Sequence, residues 1–186
     1  DHPVFIRGGL SNPSDSLVPR RGFTLHDKAQ TPYDTDGSGR MHFVTSLLDP
    51  DNPLTSRVMV NRIWHHVFGR GLVESVDNFG VQGKFPSHPD LLDYLSVRFV
   101  EEAWSIKRMI RMMVLSNTFK RSTSASQNAL AIDPNNIYLQ HYPVRRLEAE
   151  AIRDAMLVAS GRFNPTMYGE DVPIYLTEFM EGRGRP

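Results

Sequence analysis

A row of polar side chains lies along one side of the helix that the sequence predicts most clearly. Arg57, Asn61 and His65 are spaced four residues apart and therefore share one helical face, with Arg62 and His66 in the next row. An arginine, an amide and a histidine on one rigid face are able to bind a carboxylate, a phosphate or the hydroxyls of a sugar. The alternative, which we favour, is that the row holds the following loop by hydrogen-bonding to its backbone.

A polar turn after this helix is the second candidate site. Asp77 and Asn78 stand directly before Phe79 and Gly80, and their side-chain oxygens are able to coordinate Ca²⁺. Their spacing matches no calcium-binding loop, and Asp and Asn more often close a tight bend by bonding to nearby backbone groups. We therefore favour a structural role for this turn as well.

The common catalytic and metal-binding motifs are missing from the sequence. It has no G-x-S-x-G elbow, no P-loop, no G-x-G-x-x-G after a strand and no H-E-x-x-H. His65 and His66 point about 100° apart on a helix, so they do not easily share one metal ion. Glu148 or Glu150 as a general acid needs a second carboxylate nearby, and alternating charges are more typical of a solvated face. We predict no metal and no cofactor in this chain and lean towards a protein that is not an enzyme.

Composition narrows the class of protein further. The 186 residues, 40% hydrophobic and 23% charged, suffice for one domain with its own core. Lys plus Arg and Asp plus Glu number 21 each, and this neutral balance argues against a nucleic-acid or polybasic membrane partner.

The sequence has no cysteine, which excludes disulfides and thiolate ligands. No apolar run reaches the ~20 residues of a membrane-spanning helix. No signal peptide opens the sequence, so we expect either an intracellular protein or a piece of a longer exported one.

The strongest helical pattern follows Asp49-Pro50. Asn52 is predicted as the N-cap with Pro53 in the first turn, and the helix should run to Phe68 with Gly69 closing it. Its core-facing residues are Val60, Ile63, Trp64, Val67 and Phe68. Residues 69–86, called the connector below, are rich in Gly, Asp and Asn but carry enough apolar side chains that we predict an ordered, packed loop.

Weaker patterns predict the remaining elements. A helix should begin near Arg40, and others should cover residues 88–102, 105–117 and 144–160, with Ser87 predicted to cap the first of these three and Ser105 the second. In the helix after Ser105, the residues predicted to face the core are Ile106, Met109, Ile110, Met113 and Val114. The first apolar pieces, residues 4–6 and 17–18, either pair as strands or lie across the helices, and residues 172–176 form a candidate strand. These patterns predict a mainly α fold: an irregular helical bundle with long ordered loops, an extended N-terminal arm and at most a small β element. The predicted divisions are an arm at 1–39, a helical core domain at 40–163 and an irregular segment at 164–186.

Several stretches resemble one known family. The longest, residues 49–94, contains Asn-Arg-Ile-Trp at 61–64 and Asp-Asn-Phe-Gly at 77–80. Further likeness lies at 104–122, 133–136 and 145–163 and in the N-terminal VFIRGGLSNPSDSLVPR. On these residues the chain resembles a planctomycete-type domain of unknown function, over nearly its whole length.

This resemblance implies a context more than an activity. Such domains form the C-terminal part of large exported proteins with cytochrome-c-like segments. The resemblance therefore implies an extracytoplasmic location, haem in a neighbouring domain, and the other domains of the same polypeptide as partners. It also implies that the family continues past EGRGRP, so residues 164–186 are expected to be truncated. No catalytic residue of the family carries over to these positions.

Three hypotheses remain open on the sequence. The leading one is a non-catalytic scaffold or interaction module of a multidomain exported bacterial protein. The alternative is part of an extracytoplasmic enzyme that acts on a polysaccharide-like polymer, with carbohydrate bound near Arg57, Asn61, His65 and Asp77. The weakest is a helix-turn-helix-like nucleic-acid binder, which the neutral net charge opposes.

Overall fold

A computed structural model describes residues 2–23, 31–33 and 37–169. The predicted mainly α fold is confirmed, because helices far outnumber strands in the described residues. The helices are α1 (Arg40–Leu47), α2 (Thr55–Phe68), α3 (Pro89–Glu101), α4 (Ile106–Leu115), α5 (Gln127–Ile132) and α6 (Ala149–Ala159). Within these described ranges, none of the helices combines the length and apolar character that crossing a bilayer requires.

Two compact units divide the chain, residues 1–144 and 145–186. The first unit holds the N-terminal hairpin and helices α1 to α5, and the second holds α6. The divisions predicted from the sequence at 39/40 and 163/164 stay a prediction. The candidate strand at residues 172–176 lies outside the described residues.

The N-terminal arm begins with a β-hairpin. Strand β1 (His2–Phe5) pairs antiparallel with β2 (Pro13–Val18), and His2 stands opposite Val18. Of the two alternatives for the first apolar pieces, strand pairing is therefore the one that the structure has. An irregularity in the pairing falls between Pro3 and Phe5.

Asn52 joins α1 to the start of α2. Its Oδ1 accepts the Leu54 N–H at 3.0 Å, which closes an Asx turn, and its Nδ2 donates to the Ser46 carbonyl oxygen at 3.2 Å. The predicted N-cap at Asn52 is wrong: because Asn52 closes a turn at Leu54, Leu54 takes the cap position without a side-chain bond, and regular α-helix begins two residues later than expected, at Thr55. Gly69 closes the helix with φ +85°, the left-handed conformation that glycine adopts most readily.

The core of the first unit forms where α2, α3, α4 and the start of the connector meet. Its buried hydrophobic residues are Val60, Ile63, Trp64, Phe68, Leu72, Val73, Leu92, Leu95, Phe99, Met109 and Met113. Full burial of one such side chain contributes roughly 1.5–3 kcal/mol, so these residues dominate the stability of the unit. The predicted stripe of α2 is confirmed apart from Val67, which is half-buried.

Two predictions about α3 and α4 are wrong. Ser87 does not cap α3: His88 takes the N-cap position, and the Ser87 hydroxyl donates to the Leu72 carbonyl oxygen instead. In α4 the predicted core stripe is too wide, because Ile106 and Ile110 remain 47% and 39% exposed. Ser105 does cap α4 as predicted, accepting the Arg108 N–H at 3.4 Å.

In the second unit, α6 is shorter than the sequence predicts. It begins at Ala149 rather than near Val144, because Glu148 has an extended backbone and acts as the N-cap through its carbonyl group. Its apolar side chains Ile152, Met156 and Val158 are exposed.

Candidate functional site

Asn61 lies at the centre of the predicted polar row, and its side chain is completely buried. Its Nδ2 donates to the Val73 carbonyl oxygen at 3.0 Å, and its Oδ1 accepts the Val73 N–H at 2.8 Å. One amide thus satisfies both backbone groups of a residue in the connector, as a neighbouring strand would. Asn61 therefore holds the connector against α2, which is what the structural alternative predicts for this residue.

The approach of the connector to Asn61 leaves no room for a side chain at Gly71. A Cβ at this position would stand 2.9 Å from the Asn61 Nδ2 and 3.0 Å from its Oδ1, and would collide with the Val73 carbonyl oxygen. A glycine is required at position 71 because the connector backbone lies too close to Asn61 to leave room for a side chain.

We expect Gly71→Ala to lower the free energy of unfolding by about 2 kcal/mol, since a methyl group forced into a packed site displaces its neighbours. Urea denaturation measures this. Gly9→Ala is the matched control: its Cβ would meet only atoms 3.6 Å or more away, so its unfolding free energy should change by about 0.5 kcal/mol or less. If Gly71→Ala and Gly9→Ala lowered the free energy of unfolding equally, the close approach of the connector to Asn61 would be contradicted.

The two ends of the connector are tied together. The Leu72 carbonyl oxygen accepts the Ser87 N–H at 2.8 Å and the Ser87 hydroxyl at 3.2 Å. Between them, the Ser75 hydroxyl donates to the Asn78 carbonyl oxygen and accepts the Lys84 N–H, both at 2.8 Å. The connector is therefore an ordered loop, as predicted; the joining of its ends was not predicted, and it contains no helical turn.

Asp77 and Asn78 are both exposed on this loop. The Asn78 Oδ1 accepts the Gly80 N–H at 3.0 Å, which makes the Asx turn that the structural alternative predicts. Within the described residues, no hydrogen bond or ion pair joins Asp77 or Asn78 to Arg57, Asn61 or His65.

Arg57 joins α2 to α3. Its Nε donates to the Asp93 carboxylate at 2.8 Å, and its Nη1 donates to the Pro53 carbonyl oxygen at 2.7 Å. Both partners of the ion pair are partly exposed, so the pair contributes at most about 1 kcal/mol. The guanidinium is nonetheless held in one place by two bonds.

His65 is half-buried, and its Nδ1 is buried with no hydrogen-bond partner among the described residues. An unsatisfied buried nitrogen is unusual, because most buried polar atoms are paired. The His65 ring lies 5.5 Å from that of His66. Arg62 is exposed and lines a groove between α2 and α4 together with His66.

A second ordered turn, after α5, was not predicted as a site. Asp133 is buried, and its carboxylate accepts the Ile137 N–H at 2.9 Å and the Tyr138 N–H at 2.7 Å. Burial acts to raise the pKa of Asp133, but the N–H groups of Tyr138 and Ile137, with smaller contributions from Gln140 and Arg70, lower it overall. The charged carboxylate is therefore the form that holds this turn.

The lowered pKa of Asp133 makes a pH-dependent prediction. A carboxyl group whose pKa is lower in the folded protein than its unfolded value of about 3.9 stabilises the fold above that pH, and this contribution disappears as pH falls through the folded pKa. Asp133→Asn should therefore lower the melting temperature at neutral pH, because the amide presents an N–H to one of the two backbone donors. The difference from the unsubstituted protein should shrink below about pH 4. Asp15→Asn, on an exposed strand position, serves as the control; a difference at Asp133 that is constant with pH would refute the assignment.

In the structure, the candidate residues make separate local contacts. Asn61 binds the connector, Arg57 binds α3, and Asn78 binds within its own turn. No group of three or more His, Cys, Asp or Glu side chains able to hold a metal ion occurs in the part of the chain that the structure describes.

One known protein family matches this chain. The family PSD1, described as a protein of unknown function (DUF1553), matches residues 39–184, which is most of the chain. The chain belongs to the PSD1 family. No curated protein and no solved structure matches it.

The PSD1 match includes α1 to α6 and the connector, and the N-terminal hairpin lies before it. Within this PSD1 domain, sequence reasoning missed the role of Asp133. The signal was present, since Asp-Pro-Asn-Asn at 133–136 is typical of a turn that side chains close. In the structure Asn136 closes the same turn by donating to the His141 carbonyl oxygen at 2.9 Å.

Proposed function

We propose that this PSD1 domain is a non-catalytic interaction module of a larger, exported bacterial polypeptide. The observation that carries the proposal is the Asn61–Val73 pair. The most buried member of the candidate row makes both of its strong bonds to the backbone of its own chain. Arg57 is held similarly, by Asp93 and the Pro53 carbonyl. A completely buried amide whose bonds go to the backbone of its own chain is out of reach of a substrate, so Asn61 supports a rigid surface.

The proposal includes a context that comes from the resemblance of residues 49–94 to planctomycete-type domains. In that context the partners are the other domains of the same polypeptide, the location is extracytoplasmic, and haem belongs to a neighbouring cytochrome-c-like domain. Fractionation of a cell that produces the whole polypeptide, with detection by an antibody to this domain, tests the location. Recovery in the cytosolic fraction would contradict it.

A second candidate function is supported by His65. Its buried, unpaired Nδ1 is a group that a substrate or a bound water molecule is able to satisfy. In this alternative the chain is part of an extracytoplasmic enzyme for a polysaccharide-like polymer, and His65 contacts the sugar, whereas Asn61 is buried against Val73 and only supports the site.

One experiment separates the two functions. The whole chain, His65→Ala and Asn61→Ala are compared for glycan-array binding, release of reducing sugar from polysaccharides, and melting temperature. For an interaction module we expect no sugar release by any of them, and a lowered melting temperature in Asn61→Ala. If the unsubstituted chain releases reducing sugar from a polysaccharide, and His65→Ala loses that activity at an unchanged melting temperature, the enzyme replaces the module.

A further inference from the structure

An open apolar groove lies between α2 and α4, with a volume of about 470 Å³. Met59, Ile63 and Val67 line it from α2, and Ile106 and Ile110 line it from α4. Protein interiors contain few voids larger than a water molecule, so a space of this size between two helices is a surface feature and not a packing defect.

The helical geometry of α4 explains why the groove exists. Met109 and Met113 face the core and are 1% and 2% exposed, while Ile106 and Ile110 form the adjacent row. The described core residues do not cover this row, so Ile106 and Ile110 remain exposed beside α2. Contiguous apolar surface of this kind is characteristic of an interaction site.

The charges around the groove all have one sign. Neither α2 nor α4 contains an acidic residue. Arg62 lies at the α2 margin, and Lys107 and Arg111 follow the two isoleucines about 100° further round α4. Within the described residues, none of these three cations forms an ion pair, whereas Arg57 and Arg108 on the same helices do.

We propose that the groove binds an amphipathic helix with acidic flanks, contributed by another domain of the same polypeptide. The proposal rests on the function proposed above and specifies the surface and the partner chemistry. Two rows of apolar side chains on neighbouring helices form a channel into which the apolar stripe of a third helix fits. Acidic residues beside that stripe pair with Arg62, Lys107 and Arg111.

An anionic membrane surface shares this combination of apolar and acidic groups, but the shape of the site favours a helix. Membrane-surface helices insert apolar side chains that project outward. Here the apolar residues line a recess between α2 and α4.

A synthetic peptide tests the proposal. The probe is a fluorescein-labelled helix of about 16 residues, with leucines along one face and glutamates on both sides of them, a length at which an isolated helix is able to form. Its anisotropy is titrated with the whole chain. We expect saturable binding, weakened at high salt, and at least tenfold weaker binding of the same peptide with lysine for glutamate.

Two groove variants and one control identify the site. Ile110→Glu places a carboxylate in the groove, and Arg62→Glu reverses a charge on its exposed margin; each should weaken peptide binding at least tenfold. Ile132→Glu, at an 80% exposed isoleucine of α5, should leave binding unchanged. Circular dichroism melting confirms that each variant is folded, and Arg62→Glu keeps the test valid if Ile110→Glu fails to fold.

Besides failure of the peptide to bind, four outcomes overturn the acidic-helix assignment. They are equal binding of the acidic and lysine peptides, unchanged binding in both groove variants, binding to phosphatidylglycerol vesicles but not to peptide, and a dimer of the chain that Ile110→Glu dissociates. Binding to vesicles would mean that the groove contacts a membrane surface. The dimer would mean that the groove binds a second copy of this chain. If the peptide fails to bind while the chain still releases no sugar, the groove assignment is wrong and the proposed module function is not affected.

Discussion

Asn61→Ala should lower the free energy of unfolding by about 3 kcal/mol. The substitution removes both hydrogen bonds to Val73 and leaves a buried N–H and a buried carbonyl without partners. Each such orphaned group costs about 1–3 kcal/mol, because neither regains the water it had in the unfolded chain. Urea denaturation gives the total loss, and hydrogen exchange locates it: the Val73 amide should become the most strongly deprotected in the connector.

The control for Asn61 is Asn135→Ala. Asn135 is exposed in the turn after α5, so its loss should change the free energy of unfolding by about 0.5 kcal/mol or less. Asn61→Asp provides a second comparison. It preserves the acceptor for the Val73 N–H but sets a carboxylate oxygen against the Val73 carbonyl oxygen, and it should therefore destabilise as well. Unchanged stability of Asn61→Asp would show that Asn61 does not hold the connector through its donor.

Phe68→Ala should lower the free energy of unfolding by about 3–5 kcal/mol, the range found when a fully buried phenylalanine is removed. Phe68 is 1% exposed at the end of α2. Its ring centroid lies 4.1 Å from that of Trp64, 6.1 Å from Phe119 and 6.4 Å from Tyr142. The substitution leaves a cavity at the point where α2 meets the segments after α4, and urea denaturation followed by the fluorescence of Trp64 and Trp104 measures the loss.

Two further variants are compared with Phe68→Ala, and each should lower the free energy of unfolding by less. Phe85→Ala removes a phenylalanine that is 95% exposed, and should change the free energy of unfolding by about 0.5 kcal/mol or less. Phe68→Leu preserves much of the buried volume and should lose about 1.5 kcal/mol. If Phe68→Ala is no more destabilising than Phe85→Ala, the aromatic cluster does not stabilise the unit.

The parts of the fold that depend on neighbouring residues were predictable from the sequence. The apolar stripe of α2 and the left-handed Gly69 follow from residue types within one or two helical turns of each other. The order of the connector was also predictable, because Leu72 and Val73 are apolar residues in an otherwise polar loop. Such local patterns predict the folded structure correctly when no group from a distant part of the sequence bonds to the same atoms.

The errors arose where a distant group does compete. Ser87 had a local role available as the cap of α3, but its N–H and hydroxyl both bind the Leu72 carbonyl oxygen. For Ile106 and Ile110, helical periodicity gives the direction of the apolar face, whereas the width of the buried arc depends on how many elements surround the helix.

The candidate site shows the same division. The spacing of Arg57, Asn61 and His65 correctly placed them on one rigid helix. Which backbone group or carboxylate each would meet depends on how the connector and α3 return to α2, and residue types alone do not determine that path. The alternative of a loop-holding row therefore identified the role of Asn61 without identifying Val73 as its partner.

The joined ends of the connector make its tip a suitable place to attach a probe. Val81 is fully exposed, and the hydrogen bonds between Leu72 and Ser87 fix the two ends of the loop below it. Since each doubling of loop length adds only about 0.6 kcal/mol of closure entropy, extra residues inserted after Val81 should be tolerated. A cysteine introduced there into this cysteine-free chain would carry a single label, placed away from the buried helix interface that it reports on.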